Sequence, residues 1–134
     1  MAISFADLNY WAVLAGAVFY MAFGALYFSP ILFGGSWTRL NNIKDGHMSN
    51  PLIYVASTAT AFLSSLLIAV LVQATSSDDP ATGLATGLIV ALAIALVYLK
   101  NAAFGLMPKK VYAIAVCEHA ISFAALGLLH GLWH

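Results

Sequence analysis

VYAIAVCEHAISFAALGLLHG, residues 111–131, is an apolar run with Glu118 and His119 in its middle. The hydrocarbon core of a bilayer is about 30 Å thick and takes about 20 apolar residues of helix, so this run is long enough to cross it. Glu118 follows Lys110 by eight positions, or about 12 Å at 1.5 Å per residue, which puts it near the midplane. A carboxylate at that depth cannot easily reach the headgroups, and an ionisable group inside a span points to function.

The rest of the chain has the same solvent. It has 134 residues, 63% of them hydrophobic and 7% charged, with a mean hydropathy of +0.94. Soluble domains carry about 25% charged residues, so a chain this apolar needs lipid around it. Four spans are predicted, at 8–29, 51–74, 81–105 and 109–132, within a single domain of residues 1–134. Asp7 is the expected cap of the first. Ser29-Pro30 ends it, because the residue before proline is pushed out of helical geometry. Asn50-Pro51 and Asp79-Pro80 each place a capping residue before a proline at the first helical position. Short second and third connections make antiparallel hairpins. The first connection is longer. In it Phe33, Trp37, Leu40 and Lys44 recur at helical spacing and predict a short interfacial helix. Met1 to Asp7 lacks the basic region of a cleavable signal peptide. The expected fold is therefore an all-α, integral membrane four-helix bundle.

All five basic side chains fall on one side. Arg39 and Lys44 lie in the first loop, and Lys100, Lys109 and Lys110 flank the third. The positive-inside rule then makes loops 30–50 and 100–110 cytoplasmic and turns both termini outward, in a cell inner (plasma) membrane. Trp37 is the expected anchor at the inner interface, and Trp11 and Trp133 those at the outer one. The net charge is zero, which leaves no basic surface for nucleic acid. Cys117 is the single cysteine, so no disulfide forms within the chain.

Small residues mark expected helix seams. These are Gly16, Tyr20 and Gly24 in the first span, and Ser57, Thr60 and Ser64 in the second. The third offers Gly83, Gly87, Ala91 and Ala95, and the fourth Ala113, Cys117, Ala120, Ala124, Gly127 and Gly131. Glu118 shares a face with Ala115, Ser122 and Ala125. Lys100 is its candidate counter-ion, because both side chains lean toward the N-termini of antiparallel helices and so toward each other. The opposing reading has Lys100 snorkelling to the headgroups. Burial can also keep Glu118 neutral, or it can serve as a polar clamp between helices. His130 and His134, four apart, are weak metal candidates, while terminal histidines more often meet water. His47 lies in the first loop. No His-Glu-x-x-His, serine-centred or phosphate-cradling motif occurs, so no catalytic residue and no cofactor is assigned.

Asn9-Tyr10-Trp11-Ala12, Gly24-Ala25-Leu26-Tyr27-Phe28-Ser29-Pro30 and Phe33-Gly34-Gly35-Ser36-Trp37 resemble a bacterial family of small membrane proteins known only as a domain of unknown function. Lys100-Asn101-Ala102-Ala103-Phe104, Pro108 and Gly131-Leu132-Trp133 are similar to it as well. The resemblance implies four spans and an uncharacterised activity, and it transfers no catalytic residues. It also implies that Asn101, Phe104 and the Ser-Pro exit are shared devices of the architecture.

The expected function is a homo-oligomeric membrane protein that binds or moves a small solute, ion or proton. Its site would be built from Glu118, His119, Lys100, Asn101 and Ser122, with lipid and further copies of itself as partners. The alternative is a structural or accessory subunit whose polar residues only fix helix packing. An enzyme using Glu118 and His119 would lack a second convergent catalytic group.

Overall fold

The computed structural model describes residues 2–44, 46 and 49–134. Five α-helices follow one another: α1 (Tyr10–Tyr27), α2 (Gly34–Leu40), α3 (Pro51–Ala74), α4 (Pro80–Ala103) and α5 (Lys109–Leu132). Among the described residues there is no strand. Four of the helices, α1, α3, α4 and α5, are long and apolar enough to cross a membrane. Their outer faces carry Val18, Leu52, Val55, Ile89, Leu92 and Val97 in the open. A surface of that kind suits lipid rather than water.

The predicted punctuation holds at two of three helix starts. The Asn50 side chain accepts from Leu52 N at 3.0 Å, and Asp79 Oδ1 accepts from Ala81 N at 2.9 Å and Thr82 N at 3.1 Å. The cap of α1 is Asn9, which accepts from Ala12 N at 3.1 Å, and not Asp7. Asp7 closes a single 3₁₀ turn, Phe5–Asp7, ahead of the helix. At the exit of α1 the chain reverses through hydrogen bonds from Phe33 N to Tyr27 O at 3.0 Å and from Gly34 N to Ser29 O at 2.9 Å. Gly34 is buried on the carbonyls of Phe28 and Ser29, where a Cβ would collide. The reversal sets Phe33 against Tyr27 and Trp37 against Phe28, tilted ring to ring, at centroid distances of 4.7 and 4.9 Å. The short helix expected after the first span is α2. Gly105, at φ +74°, makes the left-handed turn between α4 and α5.

α5 is the central helix. α4 packs along it, α1, α2 and α3 also rest on it, and α1 and α3 pack on each other. α4 and α5 approach backbone to backbone. Added Cβ atoms at Gly83 and Gly87 would strike the carbonyls of Gly127 and Phe123, and one at Gly127 would strike the carbonyl of Gly83. Small residues give this close approach in lipid, where helices gain no hydrophobic drive to associate. The expected α4 seam is thus the seam at Gly83, Gly87 and Ala91. On α5 only the Gly127 and Gly131 end of the expected stripe is fully buried, and Ala113 and Cys117 are exposed.

The α3 seam differs from expectation. Ser57 and Thr60 are exposed, Ser64 is half-buried, and the buried face is Ala61, Ser65, Ile68, Ala69 and Val72. Ile68 and Val72 meet Ala91, Phe123 and Leu126 in the main apolar core. The first ten residues of α3, 51–60, are exposed apart from the half-buried Ile53.

Candidate site: a buried carboxylate on the central helix

Glu118 is 4% exposed. The fully buried Ser122, one turn further along α5, donates from its hydroxyl to Glu118 Oε1 at 2.9 Å. His119 Nδ1 lies 3.0 Å from Glu118 Oε2, close enough for a charge interaction if the ring is protonated. The approach is too bent for a hydrogen bond, and this buried ring nitrogen has no other partner. Both near partners of the carboxylate therefore come from its own helix. Tyr20 and Tyr27 of α1 lie within electrostatic range of Glu118, and the Tyr20 hydroxyl also meets Ser64 of α3. The His119 ring stands edge-on to Tyr98 of α4 at 5.5 Å, and Tyr20 edge-on to Phe123 at 6.1 Å.

Of the residues singled out in the sequence, the structure brings Glu118, His119 and Ser122 together. Lys100 and Asn101 do not join them. Lys100 is exposed in the last turn of α4, and the ion-pair partner of Glu118 among the described residues is His119. A free lysine at a helix end keeps its hydration by reaching the interface, which a buried pair would forfeit. Asn101 serves the turn, its backbone carbonyl accepting from Leu106 N at 2.9 Å. Trp11 and Trp133 are exposed and Trp37 is half-buried. Cys117 is exposed.

His130 contradicts its expected contact with water. It is 2% exposed and its Nε2 meets Ser65 Oγ of α3 at 3.0 Å. His134 Nδ1 instead meets Gly131 O at 3.1 Å. Among the described residues no three His, Cys, Asp or Glu side chains come together as a metal site, and His47 lies outside the described residues. Sequence reasoning missed Ser65, Tyr20 as a neighbour of Glu118, and the bond from the Tyr27 hydroxyl to Ile114 O at 2.7 Å. Ser64 and Ser65 are adjacent in an apolar run, and no local signal distinguishes the one that faces inward.

No curated protein and no solved structure matches the chain. The family described as "Protein of unknown function (DUF1761)" matches residues 11–131. With nearly its whole length matched, this four-span chain belongs to the DUF1761 family.

Proposed function

We propose that this protein assembles as a homo-oligomer in the cell inner membrane, loops 30–50 and 100–110 cytoplasmic, and binds or moves a proton or other small ion or solute at Glu118. The observation that carries this reading is the intrahelical setting of the carboxylate. A polar clamp must reach a second helix. Ser65–His130 and Tyr27–Ile114 do so, whereas the close partners of Glu118, Ser122 and His119, are on α5 itself. Among the described residues its burial adds no hydrogen bond between helices, and a costly buried carboxylate without that packing role supports a functional one. Glu118 is the proton or cation acceptor, Ser122 fixes one of its oxygens, and His119 supplies a second titratable group beside the other. Four helices of this length enclose little space, so the pathway runs between protomers.

Reconstitution tests it. Proteoliposomes carrying a pH-sensitive dye, or loaded with a panel of small cations, should show flux with the wild type. Glu118→Gln should abolish that flux while helicity and oligomer size stay unchanged. Wild-type protein that moves nothing across the panel overturns the proposal, and so does a Glu118→Gln protein that moves solute at the wild-type rate. The second reading, an accessory subunit, is favoured by the exposed polar stripe of Ser57 and Thr60 on α3, which offers a packing face to a neighbour. Loss of the oligomer rather than of flux in Ser57→Leu/Thr60→Leu, with Glu118→Gln inert, would favour that reading.

A further inference from the structure

One end of the bundle gathers every lysine and arginine of the chain. Arg39 lies in α2 and Lys44 just after it, Lys100 in the last turn of α4, and Lys109 and Lys110 in the first turn of α5. All five are exposed. None takes part in an ion pair among the described residues, where the one pair is His119 with Glu118. Asp45 is the single acidic residue in the sequence of these connections, and it lies outside the described residues. The opposite end carries Asp7, Asp78 and Asp79 and no lysine or arginine.

Large apolar side chains stand among these cations, in turns rather than in spans. Ile31, in the reversal between α1 and α2, is 83% exposed. Phe104 and Leu106, between α4 and α5, are 73% and 76% exposed. The two turns are held side by side. The Tyr27 hydroxyl at the exit of α1 donates to Ile114 O near the start of α5 at 2.7 Å. Phe33 leans on the Tyr27 ring at 4.7 Å, and α2 rests on α5.

In water these tips would form an apolar patch without a partner. At the boundary between headgroups and acyl chains they are buried, as the apolar side of an interfacial segment is. That depth brings the flanking cations to the level of the headgroup phosphates. A neutral headgroup layer would accommodate the apolar tips and the Trp37 indole but leave the like charges uncompensated. An anionic layer compensates them, because basic residues at a membrane boundary are drawn to anionic lipid. An acidic soluble partner would match the charge, but it would have to displace the bilayer boundary from Phe104, the residue that follows α4 directly.

We infer that this end, made of the α1–α2 reversal, α2 and the α4–α5 turn, is a docking surface for anionic phospholipid headgroups of the surrounding bilayer. Ile31, Phe104 and Leu106 set its depth, and Arg39 and the four lysines supply its charge. The assignment does not depend on the Glu118 reading.

Trp37 is half-buried on α2 and reports on this end once Trp11→Phe/Trp133→Phe has made it the single tryptophan. The full chain is reconstituted into phosphatidylcholine vesicles. A minor share of the lipid is replaced by brominated phosphatidylglycerol or, in parallel, by brominated phosphatidylcholine with the same acyl chains. Bromine quenches indole emission at close range, and both leaflets carry the probe, so the direction of insertion does not matter. The expected result is stronger quenching by the anionic lipid, equivalent to an association favoured at least about fivefold. The preference should fall toward parity as ionic strength rises from about 0.1 to about 1 M and the Debye length shrinks from about 10 to about 3 Å. Lys100→Gln/Lys109→Gln/Lys110→Gln, with helicity unchanged by circular dichroism, should lose most of it. Equal quenching by the two lipids overturns the inference. So does a preference undiminished at high salt, a comparison that needs no charge variant, and so does one unchanged in the folded triple variant. Glu118→Gln should keep the preference, so failure here and failure of the proposed flux are separable.

Discussion

Glu118 and His130 lie on α5 twelve residues apart, about three and a third helical turns, both buried and both ionisable. His130 reaches across to Ser65 of α3, whereas Glu118 meets Ser122 and His119 of its own helix. The first contact joins two helices and explains its own burial as packing. The second adds no hydrogen bond between helices among the described residues, and the proposed function rests on that contrast. The difference teaches that two polar residues at similar burial can differ in what they hold together, one joining helices and the other bonded within its own.

The largest expected effect comes from disturbing the seam between α4 and α5. Gly127→Leu would drive a side chain into the α4 carbonyl at Gly83. It should cost about 3 kcal/mol, read as a lowered thermal midpoint in detergent, because backbone cannot give way as a flexible side chain does. Breaking the interhelical contact comes next. Ser65→Ala leaves the His130 ring nitrogen buried without its partner and should cost about 1–2 kcal/mol by the same measurement. Glu118→Gln should cost less than about 1 kcal/mol, because the amide oxygen still accepts from Ser122, even as flux is lost. The comparison breaks if Glu118→Gln destabilises as strongly as Ser65→Ala.

The smallest effect is at the surface, away from both residues. Hydrogen bonds from the Thr82 side chain and amide hold the Asp79 carboxyl below its ordinary value. A depressed carboxyl stabilises the fold at pH values above its unfolded pKa, and that contribution fades as pH falls through the lower folded value, below about 4. The thermal midpoint of the wild type should therefore decline slightly more on acidification than that of Asp79→Asn, which cannot titrate. Parallel acid curves for the two proteins would remove Asp79 as a source of pH dependence.

Much of the architecture was legible because its signals are local. Asn50-Pro51 and Asp79-Pro80 cap their helices with their own side chains, and span length needs only the bilayer thickness. Gly83 and Gly87 announced a seam because glycine inside a helix has little other use there. The inward face of α3 was not legible. In lipid both the protein-facing and the lipid-facing sides of a helix are apolar, so no amphipathic period separates Ser57, Thr60 and Ser64 from Ala61, Ser65 and Ile68. The same ambiguity hid Ser65 as the partner of His130. It also allowed Lys100 to be drawn toward Glu118 on axial height alone, although azimuth around the helix decides contact.

The sequence by itself determined four apolar spans, their proline and capping punctuation, the segregation of basic residues, and one carboxylate deep in the fourth span. These follow from composition and from spacing along the chain, which lipid and the peptide bond constrain directly. Only the tertiary structure decided which side of each helix turns inward. It left the Glu118 partnership within α5, took Lys100 away from it, and buried His130 against Ser65. Those outcomes depend on how helices rotate against one another, and close packing fixes that rotation through contacts between residues far apart in the chain.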